Sequence, residues 1–364
     1  MAHSASYGGH AWVFLQYLLG FERLGYDVLF VDRVDADMAI TDQVAFNRDR
    51  QVLEPFGLSD RLAVITPGGD KALGMEFREL LDSVQQSVLF LNFMGFICDE
   101  RILQAAPYRV FFDIDPGFGQ MWRELGLADI LSGHDRFVSI AQNIGQSDCS
   151  VPTCGFDWIT TRHPIVLDQW PVAAARGPFT TIGAWRGPFA PVEYLGKTYG
   201  LRVHEFRHFA TLPRMSPEHF EVAIDVHPDD KRDLELLKSN GWTLANPALA
   251  TSTPSAYRSF IQRSGAEFAP AKNMYVQTRA GWFSDRSICY LASGKPVLVQ
   301  DTGLGSTYAR GEGLLTFVTL DDALEGVGSI ANNYDFHARA ARSIAEEMFD
   351  SDKVLTELMA KLAV

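Results

Sequence analysis

Short apolar runs alternate with amphipathic stretches along nearly the whole chain. Residues 11–24 carry Val13, Phe14, Tyr17, Leu18 and Phe21 at helical spacing, and Gly25 closes the pattern. DVLFV at 27–31 then reads as a buried strand. The near-continuous apolar runs at 87–93 (SVLFLNF) and 109–114 (RVFFDI) have the character of parallel strands covered on both faces. Helical periodicity over 77–84 and 120–125 alternates with them, and 137–140 is expected to be the last strand of this half. A βα unit normally opens with a strand, yet only MAHSASYGGH stands before the first helix. The first strand is therefore expected to be short or missing.

A second alternating series begins with FTTIGAWRG at residue 179. Strands are expected at 201–206, 242–244, 267–269, 296–300 and 315–317, and helices at 228–239, 254–264 and 320–331, with 335–362 helical at the end. Between the two series, IVLDQWPVAAARGP (165–178) mixes prolines with small residues and reads as a linker. There is no internal repeat. The pattern predicts an α/β protein of two Rossmann-like domains facing one another across a cleft, over 1–170 and 178–364. The last helix is expected to pack back on the first domain.

Composition narrows the function. With 47% hydrophobic and 21% charged residues, the 364-residue chain should be globular throughout. A formal net charge of −13 leaves no basic surplus to neutralise a nucleic acid. No stretch approaches the ~20 apolar residues of a membrane span, and the N-terminus lacks the basic and apolar regions of a signal peptide, so a cytoplasmic protein is expected. Four cysteines make no disulfide framework. Cys149 and Cys154 have no second pair at zinc-finger spacing, and no metal is expected.

Several residues could carry chemistry. His10, in SYGGH before the first helix, can sit at the carboxyl edge of a sheet, either as a base or as a group capping the helix. Asp113 and Asp115 end the strand RVFFDIDPG, where a carboxylate can orient an imidazole or cap the following loop. GAWRG offers Trp185 and Arg186 to a phosphate, and Lys272, Arg279 and Arg286 supply further cations. Gly9, Trp12, Phe93, Phe96, Phe118 and Trp122 fall near the loops of the first half and would line the pocket of an aromatic or apolar ligand.

The stretch 267–305, EFAPAKNMYVQTRAGWFSDRSICYLASGKPVLVQDTGLG, resembles the donor half of GT-B glycosyltransferases, with a helix running into Ala-Ser-Gly-Lys-Pro-Val and then Asp-Thr-Gly. The resemblance implies a nucleotide diphosphate sugar, UDP- or TDP-linked, held by Trp185, Arg186, Lys272, Asp285, Arg286, Ser287, Asp301, Thr302 and Gly303. Cys289 stands where the family usually has a ribose-binding glutamate, and Asp285, a turn earlier, is the substitute. The opening around Gly9-His10 is similar to inverting members of the family, in which such a histidine deprotonates the acceptor. Asp115, rather than Asp113, would then orient His10. Asp-Ile-Asp also spells the metal motif of GT-A enzymes, but those have one domain. The resemblance thus implies metal-independent transfer of a sugar to a small-molecule acceptor, such as a natural product, and is compatible with a homodimer. A sugar-nucleotide epimerase of the same fold and a non-catalytic sugar-nucleotide or glycan-binding protein are the alternatives.

Overall fold

The computed structural model describes residues 8–34, 41–69, 71–305, 307–308 and 310–364. In the first half, β1 (Phe30–Arg33) pairs in parallel with β2 (Leu62–Ile65), which pairs antiparallel with β3 (Ala72–Leu73). A second sheet runs β4 (Phe90–Phe93), β5 (Arg109–Asp113), β6 (Arg136–Ser139) and β7 (Trp158–Thr160), all parallel and in chain order. Both sheets meet under helix Gly8–Arg23. The Phe14 ring of that helix lies 5.3 Å from Phe30 of β1 and 5.4 Å from Phe93 of β4. The expected short or missing first strand falls on residues 1–7, which lie outside the described residues.

The second half is one parallel sheet. Its strands are β8 (Phe179–Ala184), β11 (Phe220–Asp225), β12 (Thr243–Leu244), β13 (Ala266–Ala269), β14 (Val297–Gln300) and β15 (Leu314–Phe317), and a small antiparallel hairpin, β9 (Val192–Tyr194) with β10 (Lys197–Tyr199), follows β8. The spatial order is β12-β11-β8-β13-β14-β15. The chain therefore winds outward from β8 in one direction and resumes at β13 in the other. Open sheets of this kind bind ligands outside the carboxyl ends at that reversal.

Local chemistry explains most element boundaries. Thr41, Asp99, Thr253, Ser284, Thr319 and Asp350 each cap a helix by accepting from a first-turn backbone N–H. Several expectations need correction. Residues 201–206 form helix Arg202–Phe206 rather than a strand; Leu201 N–H donates to His204 Nδ1 (2.9 Å), which closes its first turn. The strand at 136–139 is not the last of its half, because β7 pairs beyond it. The helix expected from residue 228 begins at Lys231. Strand β11, beside β8 over six residue pairs, and the β9–β10 hairpin were not anticipated.

The halves share interior. Trp12, Phe14 and Leu15 of the first helix join Tyr257, Ile288, Tyr290 and Leu291 of the second half in one apolar cluster. The terminal helix Ser351–Leu362 lays Leu355, Leu358 and Leu362 against Tyr17, Phe21, Val110 and Phe112 of the first half. The segment between the halves is tied down as well. Ile165 N–H donates to Phe349 O (2.7 Å), and Lys295 Nζ donates to the carbonyls of Ala173 and Ala175.

Candidate active site

The switch point between β8 and β13 is where cationic side chains gather. Helix Arg202–Phe206 follows the hairpin and brings its first residue back to the end of β8. Arg202 is 8% exposed, and its Nε and Nη1 have no hydrogen-bond partner. A Cβ on Gly183 would sit 3.0 Å from Arg202 Nη1, so the glycine leaves the guanidinium its space. Burial first, and then the neighbouring Arg286 guanidinium, lower the Arg202 pKa to about 10. Arg286 is satisfied. It pairs with Glu267 and donates from Nη1 to Ile182 O (3.1 Å). Ser287, in the same helix, is fully buried with its Oγ unpartnered. A buried cation lacking acceptors is costly unless an anion completes it.

A second cluster joins the two halves. Lys272, just past β13, donates to Asp115 Oδ2, and Tyr275 Oη donates to Asp115 Oδ1. The rings of Phe118, Phe189 and Tyr275 lie 5.3, 5.5 and 5.4 Å from Lys272 Nζ, a cation–π cage around the ammonium. Asn143 pins the same edge by donating from Nδ2 to Arg279 O (2.9 Å) and Gly303 O (2.7 Å). Behind them, Glu205 accepts from Asn273 Nδ2 and Gln300 Nε2, both at 2.6 Å. Asp113 is buried beneath Asp115 and accepts from Gln120 Nε2 (2.7 Å) and Ser139 Oγ (2.9 Å). Burial dominates its titration and pushes the carboxyl up to about 7.

His10 is half-buried in the first turn of helix Gly8–Arg23, its ring edge-on to Phe14 at 5.1 Å. Nearby, a small cavity is lined by Gly9, Trp12, Gln16, Tyr17, His163 and Asp285. It brings the first helix of the chain to the first turn of helix Asp285–Ala292. Tyr17 Oη and His163 Nδ1 lie 3.4 Å apart on its wall, and burial lowers the His163 pKa.

The structure redistributes the residues singled out from sequence. Arg186 does not offer its fork to a phosphate: Nε and Nη2 each donate to Asp230 at 2.8 Å. Trp185 is buried in the second-half core, donating to Asp233 Oδ2 (2.8 Å). Asp301 caps its own loop by accepting from Gly303 and Leu304 N–H, and Thr302 donates to Trp282 O (2.7 Å). Around the two carboxylates, Asp113 accepts from Gln120, Ser139 and the Asp115 N–H, and Asp115 from Lys272 and Tyr275. Trp12 and Phe118 pack into the interior, against Trp170 and Phe189, and the half-buried Phe93 stacks on Phe112, while Phe96 is exposed and Trp122 faces a groove. Gly9 packs against the Tyr257 ring, which a Cβ would meet at 2.7 Å. Among the described residues, no group of three metal-ligating side chains forms. No helix of the described residues is long and apolar enough to cross a membrane.

Arg202, Tyr275, Asn143 and Glu205 were missed. Arg202 lay in a segment read as strand, and the other three act through contacts more than sixty residues away in sequence.

No protein-family model matches the chain, and no curated protein resembles it in sequence. Solved structures do share its fold. HepE of Anabaena, in complex with UDP and glucose, superposes with a TM-score of 0.55 at 10% identity, over 93% of this chain and 100% of that one. Sucrose-phosphate synthase of Thermosynechococcus elongatus gives 0.52 at 10% identity over 92% and 99%. A glycosyltransferase of Rickettsia africae gives 0.52 at 9% identity over 92% and 98%. At such identity the likeness is one of fold, and it extends over both halves: the chain has the GT-B architecture.

Proposed function

We propose that this protein is a glycosyltransferase, moving a sugar from a nucleoside diphosphate donor to a small-molecule acceptor. The observation that carries the reading is Arg202, a buried guanidinium with two unpartnered nitrogens at the switch point of a parallel sheet. A diphosphate is the ligand chemistry that suits it, because guanidinium N–H groups pair with phosphate oxygens in a fixed fork. Arg202, whose Nε and Nη1 meet no acceptor, supplies positive charge suited to the negative charge that a leaving diphosphate develops, so the reading calls for no metal. HepE, a structural neighbour, was solved with UDP and with UDP-glucose. That makes a UDP-sugar the first donor to test, ahead of a TDP-sugar. His10 is the candidate base for the acceptor hydroxyl. Imidazole is the side chain whose ordinary pKa lets it take up a proton near neutral pH.

Titration calorimetry with UDP tests the reading. Arg202→Met should weaken UDP binding by about 1.5–3 kcal/mol, the scale of a charge-assisted hydrogen bond. Unchanged affinity in a variant that keeps its circular dichroism spectrum would remove Arg202, and with it the main support for a nucleotide donor.

A further inference from the structure

A groove of about 520 Å³ adjoins the Lys272–Asp115 contact. Both halves build it. Trp122, Leu125 and Leu127 come from helix Phe118–Glu124 and the turn after it, and Pro188, Phe189 and Val192 from the loop beyond β8 and the start of the hairpin. Phe189 is the shared wall. Its ring centroid lies 5.0 Å from that of Trp122, which faces the groove, and 5.5 Å from Lys272 Nζ in the cage. The groove therefore shares the Phe189 ring with the cluster at the carboxyl ends of β5 and β13, and its volume is that of a small-molecule site.

The lining states what kind of molecule fits. Of the residues around the groove, only Glu193 carries a charge, and its carboxylate already accepts from Thr198 Oγ1. Leu127 is 69% exposed and Leu125 42% exposed, beside the two aromatic rings. A carbohydrate seated there would find Glu193 as the one charged side chain to fix its hydroxyls, whereas an apolar ring system would remove leucine and aromatic surface from water. We infer that this groove binds the apolar, uncharged aglycone of the acceptor, an aromatic or alicyclic ring system rather than a sugar. The word acceptor rests on the glycosyl-transfer reading above; the preference for an apolar ring does not. An aglycone lying against Phe189 directs its hydroxyl end toward the interface between the halves.

The probe is 2-naphthol, followed by ligand-observed magnetic resonance titration, with methyl β-glucoside as the polar control. Wild-type protein should bind 2-naphthol and show no competition from methyl β-glucoside. Leu127→Glu alters an exposed side chain and so retains the fold; it should weaken 2-naphthol at least tenfold and leave UDP affinity unchanged. Phe189→Ser should show the same loss. Equal 2-naphthol affinity in wild type and both variants overturns the proposal, as does binding of methyl β-glucoside in preference to 2-naphthol. The two readings fail separately. Lack of UDP binding by the wild type counts against the nucleotide donor, while the 2-naphthol comparison still decides the groove.

Discussion

Asp113 and Asp115 show how one residue type meets different surroundings two positions apart. Asp115, two residues on, meets a lysine and a tyrosine from the other half, whereas Asp113 is enclosed by Gln120, Ser139 and apolar strand residues. Burial raises the Asp113 pKa to about 7, against about 3.9 for an unfolded aspartate. The folded state thus holds a proton that the unfolded chain has already released. The sign follows from linkage: the contribution of this carboxyl to stability is complete below about pH 4 and is lost as pH rises through about 7. Asp113→Asn should remove that decline, so its melting temperature relative to wild type rises between pH 4.5 and pH 8, by an amount equivalent to a few kcal/mol. Melting curves of the two proteins that shift in parallel over this range would mean that Asp113 stays ionised in the fold.

At the scale of elements, the terminal helix is the clearest case of packing deciding role. Ser351–Leu362 starts at an Asp350 cap and places Val354, Leu355, Leu358 and Leu362 on one buried face. That face covers Tyr17 and Phe21 of the first helix and Val110 and Phe112 of β5, so the end of the chain completes the core of its beginning. Gly20 takes part in the fit: a Cβ there would meet Leu355 Cδ1 at 2.5 Å. Leu358 is fully buried, and Leu358→Ala should destabilise the protein by about 2–5 kcal/mol, the range for such core truncations. Urea unfolding provides the measure. A loss below 1 kcal/mol would show that the helix contributes little to the first-half core. The charged run 335–362 reads as a helix in the sequence and is expected against the first half; which side chains it meets there, Tyr17, Phe21, Val110 and Phe112, is set by the fold.

At the scale of the whole molecule, the halves meet at their carboxyl edges through polar contacts that include Lys272–Asp115–Tyr275 and, beside them, Asn143. Asp115→Ala removes the shared acceptor of two donors and leaves the Lys272 ammonium among three rings. This variant should populate a more open arrangement, read as an increase in radius of gyration by solution X-ray scattering. A scattering curve superposable on that of wild type would assign the closure to the apolar interface alone. The two-half α/β plan was legible in the chain because buried parallel strands must be apolar along their length, and runs such as RVFFD and VLVQ admit few other readings. The helix from Asp285 and the glycine turn before β14 were legible for the same local reason. The partners of charged groups were not. Neither Arg186, in GAWRG, nor Arg202, in GLRVH, carries a mark of its partners in the sequence, yet one meets Asp230 and the other is buried without an acceptor at Nε and Nη1. That difference arises from strands 41 residues apart closing into register, since a carboxylate fills a guanidinium only when the fold brings it within hydrogen-bond reach.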